Sequence, residues 1–254
     1  MQFLDCNLRY GTPYRESLYP SAPCKTLQEL EDELLRAGIS GGLVYHLAQD
    51  CQGAVTGNRM LAEDLRSKRT ELKGIYTLLP SSTEETVKPD ELYGEMLACG
   101  MGAVRFSPKN HGWLERPRVI GDYLSVCEDL RIPVMLDTSC GMSQEFAWDV
   151  MEAFPNLTAI IALHYVWPLD RRIRPFLAEF PNTVVDLSFC LTDQGIGSMV
   201  KAFGAERLLF GTKFPMCYTG GQMLQLRHAL DVAEAEKDAI AGENLTRLWK
   251  EAGL

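Results

Sequence analysis

Lys213 follows the run Arg207-Leu208-Leu209-Phe210-Gly211-Thr212 and precedes Phe214-Pro215. The apolar residues read as a buried strand, and the proline cannot extend the ladder, so Lys213 stands at the strand's polar tip. An ammonium there needs a carboxylate partner or a bound anion. Asp137 closes Pro133-Val134-Met135-Leu136, and His164 closes the apolar stretch that starts at Leu157. They end successive strands and must be neighbours. Histidine has an unperturbed pKa near 6.5, which suits proton transfer, so His164, Asp137 and Lys213 form the expected catalytic group. Arg9 and Arg105 are strand-end guanidinium groups suited to a carboxylate. Asn7 shares a strand face with Arg9. His46 ends the second strand, and His111 and Trp113 lie in the loop Asn110-His111-Gly112-Trp113 after Arg105. Asn7, Arg9, His46, Arg105, His111 and Trp113 are the expected substrate-binding residues. Asp186 and Ser188 also end a strand, and Asp186 reads as structural. Tyr165-Val166-Trp167-Pro168 follows the sixth strand, and aromatic loops over a polar mouth suit a small substrate.

The elements that must position these groups alternate along the whole chain. Strand-like runs begin near Phe3, Gly42, Leu72, Gly102, Pro133, Leu157, Thr183 and Arg207. Helical segments separate them. Thr26 with Glu29 makes a capping box, Asn58 is expected to cap a helix through Lys68, and Pro89 opens another helix at a first-turn position it tolerates. Two helices are expected near Gln222–Glu236 and Lys237–Glu251. Eight strand–helix units without a linker in 254 residues predict an α/β fold, a single (β/α)8 barrel over 1–254. An open doubly wound sheet would call for a Gly-x-Gly-x-x-Gly turn, which the sequence lacks. In such a barrel the strand-end residues converge on one mouth at the C-terminal face.

The formal charge of −9 argues against a nucleic-acid partner. No run of about 18 apolar residues predicts a membrane span, and the first residues do not read as a signal peptide. The eight cysteines form no Cys-x-x-Cys pair and read as reduced thiols, so the cytoplasm is the expected compartment. The expected partner is a small anionic substrate. A homo-oligomer is left open.

Several segments together resemble the amidohydrolase-related branch of the amidohydrolase superfamily, metal-dependent TIM barrels that include decarboxylases and lactone hydrolases. They are Phe154-Pro155-Asn156-Leu157 leading to His164, Phe180-Pro181-Asn182 leading to Ser188, Phe203-Gly204-Ala205-Glu206-Arg207-Leu208-Leu209-Phe210-Gly211-Thr212, and Gly242-Glu243-Asn244-Leu245-Thr246-Arg247-Leu248. The resemblance implies the barrel fold and a divalent metal at its mouth. The ligand positions depart from it. The family's opening His-x-His is replaced in Asp5-Cys6-Asn7-Leu8-Arg9. The position of its histidine after the fifth strand falls at or near Asp137, and its last aspartate is Lys213 here. His164 alone matches. Arg9, Lys213 and Asp137 together carry the same single positive charge as a divalent ion with one carboxylate. No metal and no other cofactor is therefore expected. Arg9 and Lys213 can polarise a carboxylate or carbonyl but cannot generate hydroxide as a metal does. Alternation also turns Cys6 toward the helices if Asn7 faces inward; Cys140 and Cys190, in loops, are the best candidates for an unconventional ligand.

Three readings follow. The preferred one is a metal-free hydrolase or lyase acting on a small carboxylate-bearing metabolite. The alternatives are a metal-dependent hydrolase with altered ligands and a non-catalytic small-molecule-binding protein.

Overall fold

Alternate apolar positions on the strands build two cores. Leu4, Leu43, Ile75, Ala103, Met135, Ile160, Val184 and Leu209 fill the inside of a barrel. Phe3, Leu8, Val44, Tyr76, Val104, Val134, Ile161 and Val185 face a second, larger core shared with the helices. A computed structural model of the chain describes residues 1–12, 24–138, 141–162, 170–190 and 195–254. His164, Tyr165, Trp167 and Cys140 lie outside the described residues.

The strands are β1 (Phe3–Tyr10), β2 (Ile39–His46), β3 (Glu71–Thr77), β4 (Met101–Arg105), β5 (Val134–Asp137), β6 (Ala159–Ala162), β7 (Thr183–Asp186) and β8 (Leu208–Leu209). They form one parallel sheet in the order β1 to β8. The chain following β8 returns to β1, where the Cys6 and Arg9 N–H groups donate to the Phe210 and Phe214 carbonyls at 2.9 and 3.1 Å. This is the (β/α)8 barrel expected from the strand–helix alternation.

The helices among the described residues are α1 (Leu27–Ala37), α2 (Ala48–Cys51), α3 (Ala54–Leu65), α4 (Leu92–Cys99), α5 (Pro108–His111), α6 (Pro117–Asp129), α7 (Gln144–Ala153), α8 (Asp170–Glu179), α9 (Gly195–Phe203), α10 (Thr219–Arg227), α11 (Glu234–Asp238) and α12 (Asn244–Ala252). Helix α1 carries the expected Thr26–Glu29 capping box. None of the described helices is long and apolar enough to cross a membrane. Leu245, Leu248 and Trp249 of α12 join the inner core.

Two local expectations fail for physical reasons. Asn58 does not cap a helix; α3 begins earlier, after Gly53. Asn58 is buried inside it, accepting from the Thr77 N–H at 2.9 Å and donating to the Thr77 carbonyl at 2.8 Å, so it ties α3 to β3. The helix expected at Gln222–Glu236 ends at Arg227, and a π-helical segment over Ala239–Glu243 leads into α12.

Candidate active site at the barrel mouth

The inward positions of the strands end in polar side chains. Arg105 lies two residues after inward Ala103, Asp137 two after Met135, Asp186 two after Val184, and Tyr45 two after Leu43. The two-residue period of a strand aims each of these groups at the mouth. Lys213 arrives just past β8, with φ 55°, in the left-handed region that a side chain with a Cβ rarely adopts. Its ammonium is 1% exposed and lies 3.2 and 3.4 Å from the two Asp137 carboxylate oxygens. Burial pushes this lysine down, but Asp137, and then Tyr45 and Asp186, outweigh it and hold the group above its ordinary value against the opposing charge of Arg9. Lys213 is therefore a charged hydrogen-bond donor rather than a free amine.

Tyr45 joins the mouth cations. Arg9 Nη1 donates to its hydroxyl at 3.1 Å, and the Arg105 guanidinium carbon sits 4.1 Å from its ring centroid, a cation–π contact. Arg105 also pairs with Asp50 of α2 and donates to Ser107 Oγ at 2.8 Å. Burial raises the Asp50 carboxyl, but Arg105, with Asn110 and His111, more than offsets this and holds it below the usual range.

Beneath this layer lies a network of neutral donors and two carboxylates. Asp186 Oδ2 accepts from Asn7 Nδ2 at 2.7 Å, and its Oδ1 accepts from Ser188 N at 2.8 Å and Ser188 Oγ at 2.5 Å. Asp5 accepts from Asn7 N at 2.9 Å and from the Thr212 N–H and hydroxyl. Burial, aided by Asp186, pushes Asp5 up to about 7 although these hydrogen bonds pull the other way. Gly211 allows the network to close: a Cβ there would lie 2.2 Å from Asp186 Oδ1.

The structure brings Arg9, Arg105, Asp137 and Lys213 together around Tyr45, with Asn7 in the floor. Of the other described candidates, it does not bring His46, His111 and Trp113 to them. His46 faces away, toward the helices: its ring meets Tyr10 edge-on at 4.7 Å, and its Nδ1 accepts from Ala48 N at 3.0 Å. Tyr45 and His46 are consecutive, so only one can point inward, and the inward one is the tyrosine. Burial holds His46 below its ordinary pKa. His111 and Trp113 belong to a separate cavity, bounded by Gln52–Thr56, Leu79–Glu85 and His111–Trp113, that includes none of the mouth residues named above. Trp113 packs its ring against Phe106 and Phe146 at 6.1 and 6.0 Å instead of covering the mouth. Cys6 is also corrected. Between Asp5 and Leu8, β1 spends three steps where β2 spends two, from Gly42 to Val44, so a bulge breaks the alternation. Cys6 therefore joins the inner core, where burial and the neighbouring Asp186 and Asp5 raise its thiol well above the ordinary range.

A family model described as amidohydrolase matches residues 25–250. The chain belongs to the amidohydrolase family. No curated protein matches the sequence. Among solved structures, the chain is similar to an uncharacterised TIM-barrel protein from Bordetella bronchiseptica, with 20% identity over 100% of both chains and a TM-score of 0.70. It is also similar to 2,6-dihydroxybenzoate decarboxylase from Rhizobium, at 17% identity, 98% and 99% coverage and a TM-score of 0.69. A third is 4-oxalomesaconate hydratase from Rhodopseudomonas palustris, at 16% identity, 99% and 97% coverage and a TM-score of 0.70. At these identities the likeness establishes the barrel fold.

The divalent metal that the family resemblance implies finds a poor donor set among the described residues of this chain. No group of three or more His, Cys, Asp and Glu side chains is placed there to hold an ion. Arg9 offers no lone pair, and Lys213 is held protonated by Asp137 where the resemblance puts a carboxylate ligand. Asn7 donates its amide N–H to Asp186 and leaves its Oδ1 buried without a hydrogen-bond partner, a single neutral oxygen donor.

Proposed function

We propose that this amidohydrolase-family barrel is a hydrolase or lyase for a small carboxylate-bearing metabolite, working at the barrel mouth without a divalent metal. Family membership is the basis for reading it as an enzyme. The observation that carries the metal-free reading is the buried Lys213–Asp137 pair at the barrel axis. Arg9 and Arg105 hold the substrate carboxylate, and Asn7 shapes the floor beneath it. The Lys213 ammonium stabilises negative charge that develops on the reacting carboxyl or carbonyl. Asp137 keeps that ammonium charged and oriented. His164, assigned from the sequence, exchanges the proton.

A lyase step suits these groups better than hydrolysis. An ammonium and two guanidinium groups stabilise an anion but do not activate water. The named substrates of two solved relatives, 2,6-dihydroxybenzoate and 4-oxalomesaconate, are themselves carboxylates. The test is turnover on a panel of small carboxylic acids including both compounds, with lactones and amides alongside, followed by elemental analysis of protein purified without chelator. Turnover without stoichiometric metal supports the proposal. About one equivalent of zinc, manganese or iron, with activity lost on chelation and restored by metal, replaces it with the altered-ligand hydrolase. Binding of carboxylates without turnover of any of them replaces it with the non-catalytic reading.

A further inference from the structure

We propose that Asp50 is a positioning residue, which fixes the Arg105 guanidinium in the place and plane where it meets a substrate carboxylate; this rests on reading Arg105 as a carboxylate-holding group. Asp50 stands on a fixed backbone. It follows Gln49 in the short helix α2. Gln49 is fully buried. Its Nε2 donates to Asn58 Oδ1 at 2.6 Å and to the Ile75 carbonyl at 2.8 Å, and its Oε1 accepts from His46 N at 3.2 Å. Asn58 is itself tied to Thr77 of β3. These bonds pin α2 to β2, β3 and α3, which is the rigid support that a positioning group needs.

Three contacts restrain the guanidinium. Arg105 Nη2 donates to Asp50 Oδ1 and to Ser107 Oγ, the latter at 2.8 Å, so both hydrogens of that nitrogen are committed. The guanidinium carbon lies over the Tyr45 ring, 4.1 Å from its centroid. Of these three partners Asp50 alone is a carboxylate, and a charge-assisted hydrogen bond is the strongest kind available here. The same carboxylate oxygen accepts from Asn110 Nδ2 at 3.2 Å, which holds Asp50 in its turn. Only 7% of the Arg105 side chain and 14% of the Asp50 side chain are exposed, so solvent and salt screen the pair little. Two roles for Asp50 predict opposite signs. If it only neutralises Arg105, its removal strengthens the pull on an anion. If it positions Arg105, its removal frees a rotamer-rich side chain that the ligand must then order, and anion binding weakens. A carboxylate needs the planar fork held in one orientation, so the second effect is expected to win.

The test compares the full chain with its Asp50→Ala and Asp50→Asn variants, using benzoate as the carboxylate probe. Rotation of the Arg105 guanidinium about its Cζ–Nη2 bond is followed by NMR, with the signals assigned by Arg105→Lys. Benzoate affinity is measured by calorimetry and stability by denaturant unfolding. In Asp50→Ala the rotation is expected to speed up about tenfold, as loss of a charge-assisted hydrogen bond allows, and benzoate to bind about fivefold more weakly. Asp50→Asn keeps an acceptor oxygen without the charge and should fall between Asp50→Ala and wild type in both readouts; it decides the matter if Asp50→Ala fails to fold. A merely structural role would lower stability and leave the benzoate affinity of the folded variants unchanged. The inference is overturned if the rotation is unchanged in the folded variants, or if benzoate binds them as tightly as wild type or more tightly. Failure of the wild-type chain to bind benzoate up to its solubility limit would instead overturn the carboxylate reading of the mouth, and the rotation measurement would then decide the role of Asp50 by itself.

Discussion

The barrel mouth and the side cavity are both built from the segments that follow the strands, yet they are opposite in character. The mouth gathers Lys213, Arg105 and Arg9 on strand ends, and sets Asp137 and Asp50 against the first two. The side cavity mixes apolar Val55, Leu79 and Trp113 with polar Gln52, Thr56 and Glu85, and no lysine or arginine lines it among the described residues. Strand ends converge toward a barrel axis and concentrate charge, while loops enclose shape off that axis. The two regions meet through α2 and α5. Asp50 of α2 holds Arg105 on one side and accepts from Asn110 of α5 at 3.2 Å on the other, and His111 is fixed to the Gln49 carbonyl.

The largest expected effect separates the regions by pH. Asp5, under the mouth, moves from 3.8 to about 7 on folding, which corresponds to about 4 kcal/mol. Between those values the folded chain binds more protons than the unfolded one, so Asp5 makes stability fall as pH rises from about 4 to about 7 and adds no slope above that. His46, held below its ordinary value by burial, opposes it near pH 6, because there the unfolded chain binds the extra proton. Urea unfolding at a series of pH values should show a falling trend that Asp5→Asn removes and Val55→Trp retains. A slope unchanged in Asp5→Asn would mean that the carboxyl is ionised throughout.

Next in size is Lys213→Met. It leaves Asp137 without its ammonium, and breaking a buried pair costs about 3–5 kcal/mol, the lower end applying because the Asp137 side chain is 13% exposed. Stability should fall by about 3 kcal/mol in denaturant unfolding, and Lys213→Met combined with Asp137→Leu should recover part of it. A loss no larger than about 0.5 kcal/mol would show that the pair is screened by solvent.

Arg105→Ala probes the bridge. It removes the cation over Tyr45 and frees Asp50, so benzoate should bind about tenfold more weakly, corresponding to about 1.4 kcal/mol. An unchanged benzoate affinity, measured by calorimetry, would show that Arg105 takes no part in holding the carboxylate.

Much of this was legible in the sequence because two periodicities carry it. Strand–helix alternation fixes the barrel, and the two-residue strand period aims Arg105, Asp137 and Asp186 inward. The same period marks Tyr45 rather than His46 once Leu43 is taken as inward, so that error came from reading the strand end without its face. The bulge at Cys6 was harder to foresee. It depends on the close approach of β1 to Gly42, where a Cβ would lie 1.9 Å from the Asp5 carbonyl oxygen, a contact between distant segments. The placement of His111 and Trp113 depends on how α5 docks on α2, and no spacing within the loop records that. Asp50 was missed for the same reason, since its partner lies 55 residues away.

The smallest expected effect tests whether Tyr45 organises the mouth cations or only fills space. Its hydroxyl accepts from Arg9 Nη1, and its ring lies under the Arg105 guanidinium. Tyr45→Phe removes the first contact and keeps the second. A hydrogen bond to a charged donor contributes about 1.5–3 kcal/mol at most, and Arg9 is half-buried, so solvent replaces part of what is lost. Benzoate affinity should therefore fall about fivefold, near 1 kcal/mol. Tyr45→Leu also removes the cation–π contact, worth about 0.5–2 kcal/mol, and should lose a further several-fold for benzoate alone. The graded series, phenylalanine then leucine, is what a positioning role demands. If the two variants bind benzoate equally well and lose only thermal stability, Tyr45 is a core residue and the three cations are set by their carboxylate partners alone.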